Sequence, residues 1–261
     1  MFSRLNLTTP LRLAAAGLML ALLQGCATGP NANPADPLEP FNRTVFNFND
    51  GVDRVVLKPV ATVYRDALPS QVRTGVTNFF GNISDVWSLV NNVLQLKPKE
   101  AVETLARVGV NTIIGLGGVL DVATDLNLPK HKQDFGLTLG YWGVGSGAYI
   151  VLPLLGPSSV RDTLGTVVDF KGDLVSSSNN VPVRNTLGTL RIVNRRSELL
   201  GPAEVLEQAA LDKYSFTRDV YLQRRRSQTN GGKPEVEERY DLPEDATAPQ
   251  AVVPPAPPAE K

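Results

Sequence analysis

The stretch DPLEPFNRTVFNFNDGVDRVVLKPV, residues 36–60, decides how the chain folds. Phe41, Val45, Phe48, Val52 and Val55 recur at i, i+4, i+7, i+11 and i+14, which is the spacing of one helical face. Asn42, Arg43, Asn47 and Asn49 lie off that face. Ahead of it, Asp36-Pro37 reads as an N-cap followed by proline at the first helical position. Pro59, Pro69 and Pro98 each open a further segment, and helices are expected over 70–80, 82–96 and 99–114. Ala101, Leu105, Val108 and Thr112 are in register in the last of these. The same period predicts helices over 158–170, 183–200, 203–213 and 215–226. Only a short hairpin near 135–153 is expected besides, so the class is all-α.

The N-terminus carries an address. Arg4 and Arg12 precede LAAAGLMLALL, residues 13–23, an uncharged run of 11 residues. At about 1.5 Å per residue it falls short of a hydrocarbon core of roughly 30 Å, so it reads as the core of a signal peptide. It ends in Leu23-Gln24-Gly25-Cys26, which resembles the bacterial lipobox. In that motif Cys26 receives diacylglycerol, is exposed by cleavage after Gly25 and is N-acylated, with palmitate as an expected chain. Two or more acyl chains hold a protein stably, whereas one alone binds marginally. Ala27 follows where the enterobacterial rule places Asp for inner-membrane retention, which implies the outer membrane.

Composition excludes much of catalysis. The 261 residues hold one Cys and one His, so an internal disulfide, a Cys-rich zinc site and an HExxH site are all ruled out. No metal or cofactor is expected. Lys+Arg and Asp+Glu each number 26, a balance that argues against phosphate-neutralising nucleic-acid binding. The expected organisation is a lipoprotein signal peptide over 1–25, a lipidated Cys26 and polar tether over 26–36, and a helical domain over 37–226. The remainder, 227–261, is rich in proline and acidic residues, a composition expected to stay disordered.

Catalytic motifs fail in detail. Gly140 and Gly145 have P-loop spacing, but Ser146-Gly147 follows where Lys-Ser/Thr is required. Gly115-x-Gly117 has Leu120 in place of the third glycine. Ser146 has Val144 and Ala148 where a nucleophile elbow needs glycines. His131 sits in the polar connection Pro129-Lys130-His131-Lys132-Gln133, where an exposed, idle imidazole is expected. Asp162, Asp169 and Asp173 have Arg161 and Lys171 nearby and read as ion-pair partners, and Asp121 and Asp125 as helix ends. An envelope phospholipase or acyltransferase would need Ser146 or Ser158 to meet His131 across distant segments.

Two features remain. Broad apolar stripes (Phe79, Phe80, Val86, Trp87, Leu89, Val90, Val93, Leu94) suit either the core of a soluble bundle or faces laid into a membrane, and pattern alone does not choose. The segment from Gly140 to Gly147 holds four glycines in eight residues, Gly140, Gly143, Gly145 and Gly147, beside the uncharged run AYIVLPLL of residues 148–155. Such a segment suits a flexible hairpin packed on something apolar.

Three ordered blocks then carry a family resemblance. DPLEPFNR (36–43) with FNFN (46–49), NTIIGLGGVLDVA (111–123) and DFGLTLGYWGVG (134–145) together resemble the MlaA (VacJ-type) lipoproteins. The last block runs on through Leu152-Pro153, Gly156-Pro157-Ser158 and Arg161-Asp162. The resemblance implies a lipid-anchored, ring-like bundle of amphipathic helices seated in the periplasmic leaflet of the outer membrane. It implies a polar channel that removes mislocalised phospholipids from the outer leaflet and maintains lipid asymmetry. The four glycines in eight residues place Gly140, Gly143, Gly145 and Gly147 as the mobile hairpin expected to border such a channel. The resemblance also implies phospholipids, trimeric porins and a soluble periplasmic lipid carrier as partners, with no nucleic acid, no cofactor and no enzymatic activity. A lipoprotein that scaffolds porins without handling lipid is the structural alternative.

Overall fold

A computed structural model describes residues 33 and 36–230. Cys26, with most of the tether, and the tail from 231 lie outside the described residues. Helix α1 (Glu39–Val52) passes through a π-helical turn (Asp53–Leu57) into α2 (Lys58–Ala67). Pro59 therefore does not open a separate segment. It lacks the N–H that an α-ladder needs, and the turn before it widens, with Lys58 N–H donating to the Asp53 carbonyl. Nor does Asp36 cap α1: the N-cap is Leu38, and the buried Asp36 carboxylate instead takes hydrogen bonds from Asn42 (2.8 Å) and the Tyr214 hydroxyl.

Helix α3 (Ser70–Leu94) is continuous over 25 residues where a break at Gly81 was expected. Glycine inside a helix costs about 1 kcal/mol relative to alanine, which tertiary contacts readily offset. α4 (Pro98–Ile113) folds back along α3, and the short α5 (Val122–Asp125) and α6 (Phe135–Tyr141) follow. Asp121 caps α5 as expected of a helix end, its carboxylate accepting from Thr124 N–H.

The hairpin lies later than expected. Residues 135–141 are helical, and the strands are β1 (Tyr149–Leu152) and β2 (Gly156–Ser159), antiparallel with Tyr149 opposite Ser159 and Leu152 opposite Gly156. The uncharged run of residues 148–155 therefore forms β1 and the turn, while the glycines form the connection into it. Leu154 and Gly156 both adopt positive φ at that turn. α7 (Val160–Gly172), α8 (Val181–Glu198), α9 (Leu200–Ala209) and α10 (Lys213–Thr229) complete the all-α body.

Its packing is inverted. Among the described residues, buried polar and charged side chains outnumber buried apolar ones. Much of the predicted apolar stripe points outward: Phe41 and Phe48 of α1 and Val55 of the π turn are 52%, 55% and 75% exposed, while Asn42 is fully buried. Val90, Val93 and Leu94 of α3 and Ile113 of α4 are likewise exposed. One small apolar cluster exists, Tyr149 and Val151 of β1 with Tyr214 of α10, edged by Val45, Phe46, Tyr221 and Leu222. Exposed apolar surface on this scale marks a face meant for membrane or partner. No helix among the described residues is long and apolar enough to cross a membrane.

Charged staples close the far side. Arg225 of α10 donates to Asp134 (Nη1 2.6 Å) and Asp162 (Nη2 2.7 Å), joining the ends of α6 and α7. Tyr221 Oη also donates to Asp162 (2.6 Å), and Arg161 Nε lies 3.0 Å from it. Burial pushes the Asp162 carboxyl up, but Arg225, Tyr221 and Arg161 outweigh it and hold the pKa at about 2. Asp173 pairs with Arg191 rather than Lys171, and Asp169 accepts from the Trp87 indole (2.7 Å) and Phe135 N–H (2.9 Å).

Two outcomes follow in detergent-solubilised protein. Asn42→Ala should lower unfolding stability by about 2–3 kcal/mol, because Asp36 and the β1 backbone lose buried partners, whereas Phe48→Ser should cost about 0.5 kcal/mol or less. A conventional core would reverse that order, with the phenylalanine costing the most. For Asp162, a folded pKa below the unfolded one means stability present above the carboxyl's ordinary pKa and lost as pH falls toward 2. Denaturation across pH 5 to 2 should show a loss of roughly 2 kcal/mol from this group that is absent in Arg225→Met.

Candidate functional site

α3 turns a polar edge inward. Asn82, Asp85, Ser88, Asn91, Asn92 and Gln95 recur at three- and four-residue steps and are all buried. Each finds a neighbour on a facing element. Asn82 Nδ2 donates to Thr112 (2.9 Å) and Asn92 Nδ2 to Thr104 (3.3 Å), both on α4. Thr138 of α6 donates to Asn91 (2.7 Å) and receives from Gln95 (3.0 Å). Arg107, buried on α4, donates to both oxygens of Asp121 (2.9 and 3.1 Å) and brings its Nε to 3.7 Å from Asp85 Oδ2.

A cavity of about 450 Å³, open to solvent, lies beside this edge between α3, α8 and the connection carrying Lys130 and Lys132. Its charge is mostly positive: Lys130, Lys132, Arg191 and Arg195 face Asp85 and Glu198. Arg191 pairs with Asp173 (2.8 Å) and stacks its guanidinium 5.1 Å over the Phe80 ring, yet its Nε and Nη2 are buried with no hydrogen-bond partner. Glu198 accepts from Thr77, which also receives from Asn194 (2.9 Å), and Asn194 in turn receives from the Tyr64 hydroxyl (2.9 Å). Lys132 makes no salt bridge among the described residues. It is reached by solvent along the cavity, yet burial first, and then Arg195, Arg224 and Lys130, push its pKa below the usual lysine range. A lysine destabilised by three cations is a site short of an anion.

The glycine segment borders a different space. Gly140 ends α6, where a Cβ would meet Arg161 Nη1 at 2.6 Å, and Gly143 and Gly147 adopt φ +89° and +67°. Gly147 lines a second cavity of about 160 Å³ with Ser146, Asp162, Tyr221 and Arg225, and none of the four glycines lines the basic cavity. The hairpin they lead into is held by two asparagines of α1. Asn42 donates to Tyr149 O (3.0 Å) and accepts from Val151 N–H (2.9 Å); Asn49 donates to Leu152 O (3.0 Å) and accepts from Leu154 N–H (2.8 Å). Seven residues apart on one helical face, they supply the hydrogen bonds that a further strand would give the edge of β1.

His131 is neither exposed nor idle: its Nε2 lies 2.6 Å from Glu103 Oε2, and its carbonyl accepts from Asn92. Ser158 hydrogen-bonds Ser159 O and Thr163, so the residues of a serine–histidine pair have other partners. The basic cavity was not foreseen. Its signals were Lys130 and Lys132 flanking His131, and Arg191 and Arg195 one helical turn apart, both of which read as ordinary solvated charge.

A family model described as MlaA lipoprotein matches residues 34–228. The chain is 38% identical over 229 residues to the intermembrane phospholipid transport system lipoprotein MlaA of Escherichia coli K12, covering 85% of this chain and 90% of that protein. The protein of the same name from Haemophilus influenzae is 33% identical over 239 residues, covering 85% and 92%. A solved structure, described as the structural basis for maintenance of bacterial outer membrane lipid asymmetry, superposes with a TM-score of 0.66 at 34% identity. It covers 75% of this chain and 99% of that chain.

The Lys132 environment has a direct readout. In Arg195→Met the amine should hold its proton to higher pH, because one of the charges opposing it is gone. Acetylation of Lys132 at pH 9, mapped by peptide mass spectrometry, should slow relative to the unchanged protein.

Proposed function

We propose, because this chain belongs to the MlaA lipoprotein family, that it is an outer-membrane lipoprotein of a phospholipid-trafficking system that maintains outer-membrane lipid asymmetry. Cys26 anchors it by its acyl chains, and the exposed apolar faces of α1, α3 and α4 lie in the periplasmic leaflet. The polar interior gives the headgroup of a mislocalised phospholipid a path out of the outer leaflet. A soluble periplasmic carrier receives the lipid, and trimeric porins flank the seated body. The protein performs no covalent chemistry: it lowers a barrier, and the direction of flow is set elsewhere.

The inverted packing carries this reading. A phospholipid leaving hydrocarbon must keep its headgroup solvated, since an unpaired polar group there costs several kcal/mol. The basic cavity, into which Asp85 of the polar α3 edge opens, supplies that solvation, while the outward valines, leucines and phenylalanines meet the acyl region. The absence, among the described residues, of any helix able to span a bilayer fits a body seated in one leaflet. Gly140, Gly143, Gly145 and Gly147 lie away from the basic cavity and would border the path only where it passes the hairpin. Their backbone freedom lets the hairpin shift while Asn42 and Asn49 hold its edge.

Charge reversal in the cavity tests the path. Lys132→Glu with Arg195→Glu should leave the protein outer-membrane-located and folded, yet raise outer-leaflet phospholipid, measured by surface labelling of intact cells. Transfer from liposomes holding the purified lipoprotein to the periplasmic carrier should fall by about tenfold or more, as for loss of one charge-assisted contact. Unchanged transfer and unchanged outer-leaflet lipid would remove the cavity from the path. Cys26→Ala should abolish membrane anchoring, read by fractionation.

A further inference from the structure

The orphaned polar atoms of the basic cavity are of two kinds, and together they describe a ligand. On one wall, Arg191 Nε and Nη2 are buried donors without acceptors, and Lys132 and Arg195 add charge that no salt bridge neutralises. These groups want an anion with several acceptor oxygens, as a phosphodiester has. Asp85 also lines the cavity, 2% exposed, with Lys130 Nζ 3.5 Å from Oδ1 and Arg107 Nε 3.7 Å from the buried Oδ2. Both contacts are long, and a closer charged donor would bind this carboxylate better.

The chain itself shows where such a donor sits. Lys130 Nζ, a primary ammonium on a side chain 45% exposed, reaches to 3.5 Å from Asp85 Oδ1. It crosses α3 at Gly81, where a Cβ would come within 3.0 Å of Nζ. Its place on Asp85 is loose: the half-exposed arm stands 3.5 Å from Oδ1. Arg107 faces Oδ2 through Nε at 3.7 Å while its Nη2 is committed to Asp121, so Oδ1 is the oxygen that a ligand donor would take from Lys130.

We propose that this cavity reads a zwitterionic headgroup, a phosphodiester carrying a primary ammonium two carbons away, with the phosphate at Lys132, Arg191 and Arg195 and the ammonium taking the place of Lys130 on Asp85. The inference rests on the reading of the cavity as the headgroup path. A quaternary ammonium fits poorly, because it has no N–H to give Asp85 and the aromatic face it would seek, Phe80, is already covered by Arg191. A neutral glycerol headgroup offers the same phosphate but only uncharged donors to Asp85, and hydrogen bonds lacking a charged donor are roughly half as strong. The surplus positive charge favours the anionic glycerol headgroup over the net-neutral zwitterion, so a preference for the zwitterion requires the Asp85 contact to outweigh it.

The test uses the full-length lipidated protein, purified in detergent and equilibrated with vesicles of equal phosphatidylethanolamine and phosphatidylglycerol, with bound lipid quantified by mass spectrometry. The unchanged protein should retain phosphatidylethanolamine preferentially. Asp85→Asn should lower the bound ratio by about tenfold, and Lys130→Met, which vacates the competing ammonium, should raise it. A purely structural role for the pair would not move the ratio in opposite directions. A ratio that is unchanged in both variants, or that falls in both, overturns the inference; if Asp85→Asn does not fold, the half-exposed Lys130→Met decides alone. Lys132→Ala with Arg195→Ala separates the two readings: total bound lipid must fall, and if it does not, the cavity is no headgroup path at all. Soluble glycerophosphoethanolamine is the remaining probe, and its retention in preference to the lipid would reassign the site to a free phosphoamine and overturn the inference.

Discussion

The amide N–H groups that α3 hides are met by acceptors on facing elements, and that requirement arranges the molecule around it. A buried polar group left unpaired costs about 1–3 kcal/mol, comparable to the stabilisation a well-packed aliphatic side chain provides. With Asn82, Asn91, Asn92 and Gln95 turned inward, α4 has to present Thr104 and Thr112 to them, and α6 has to bring Thr138. The short connecting segments are fixed by the same demand, since Gln133 meets both Ser88 and Gln95. Directional bonds thus set the geometry where a soluble domain would rely on non-directional apolar contact. The apolar side chains are left with the outside.

This explains why some parts of the fold were legible in the sequence and others were not. The stripe Phe41, Val45, Phe48, Val52 and Val55 identified a helix correctly, because periodicity depends only on the rise and turn of the backbone. It could not say which way the stripe faces, since a 3.6-residue period is the same whether the solvent beyond it is protein or lipid. Phe80 and Leu94 belong to one stripe by spacing, yet Phe80 is buried under Arg191 and Leu94 is exposed. Local signals at Pro59, Gly81 and Asp36 misled for a related reason. Each was read by its propensity, and each is governed by a distant partner or an adjacent distortion: the π turn, Lys130 and Tyr214.

The hairpin shows the same division. An uncharged run beside clustered glycines marked a flexible element, but its strands form later, because Asp134 caps Phe135–Tyr141 as a helix and draws Leu137 N–H to its carboxylate (2.8 Å). A two-stranded sheet is marginal alone. Here its outer edge is completed by Asn42 and Asn49, residues that the sequence placed merely off the apolar face of α1. Their seven-residue separation becomes informative only once β1 is known to lie alongside. The family blocks 36–49 and 134–145 therefore hold the two halves of one joint, an asparagine-bearing helix and the glycine-bearing entry to the strand it clasps.

Two groups of charge in the body contrast, and the contrast locates function. Around Asp162 the charges are closed: Arg225, Tyr221 and Arg161 converge on one carboxylate, and its pKa falls despite burial. Around Lys132 they are open: cations gather with too few carboxylates, and the pKa of the amine falls through desolvation first and through Arg195, Arg224 and Lys130 after it. Like charges brought together without counterions destabilise a fold, so such a cluster is retained only where something else compensates for it. In the first cluster the compensation is internal and the result is rigidity between α6, α7 and α10. In the second no carboxylate among the described residues balances Lys132 and Arg195, and the surplus charge is left facing a solvent-open cavity that Asp85 of α3 also lines.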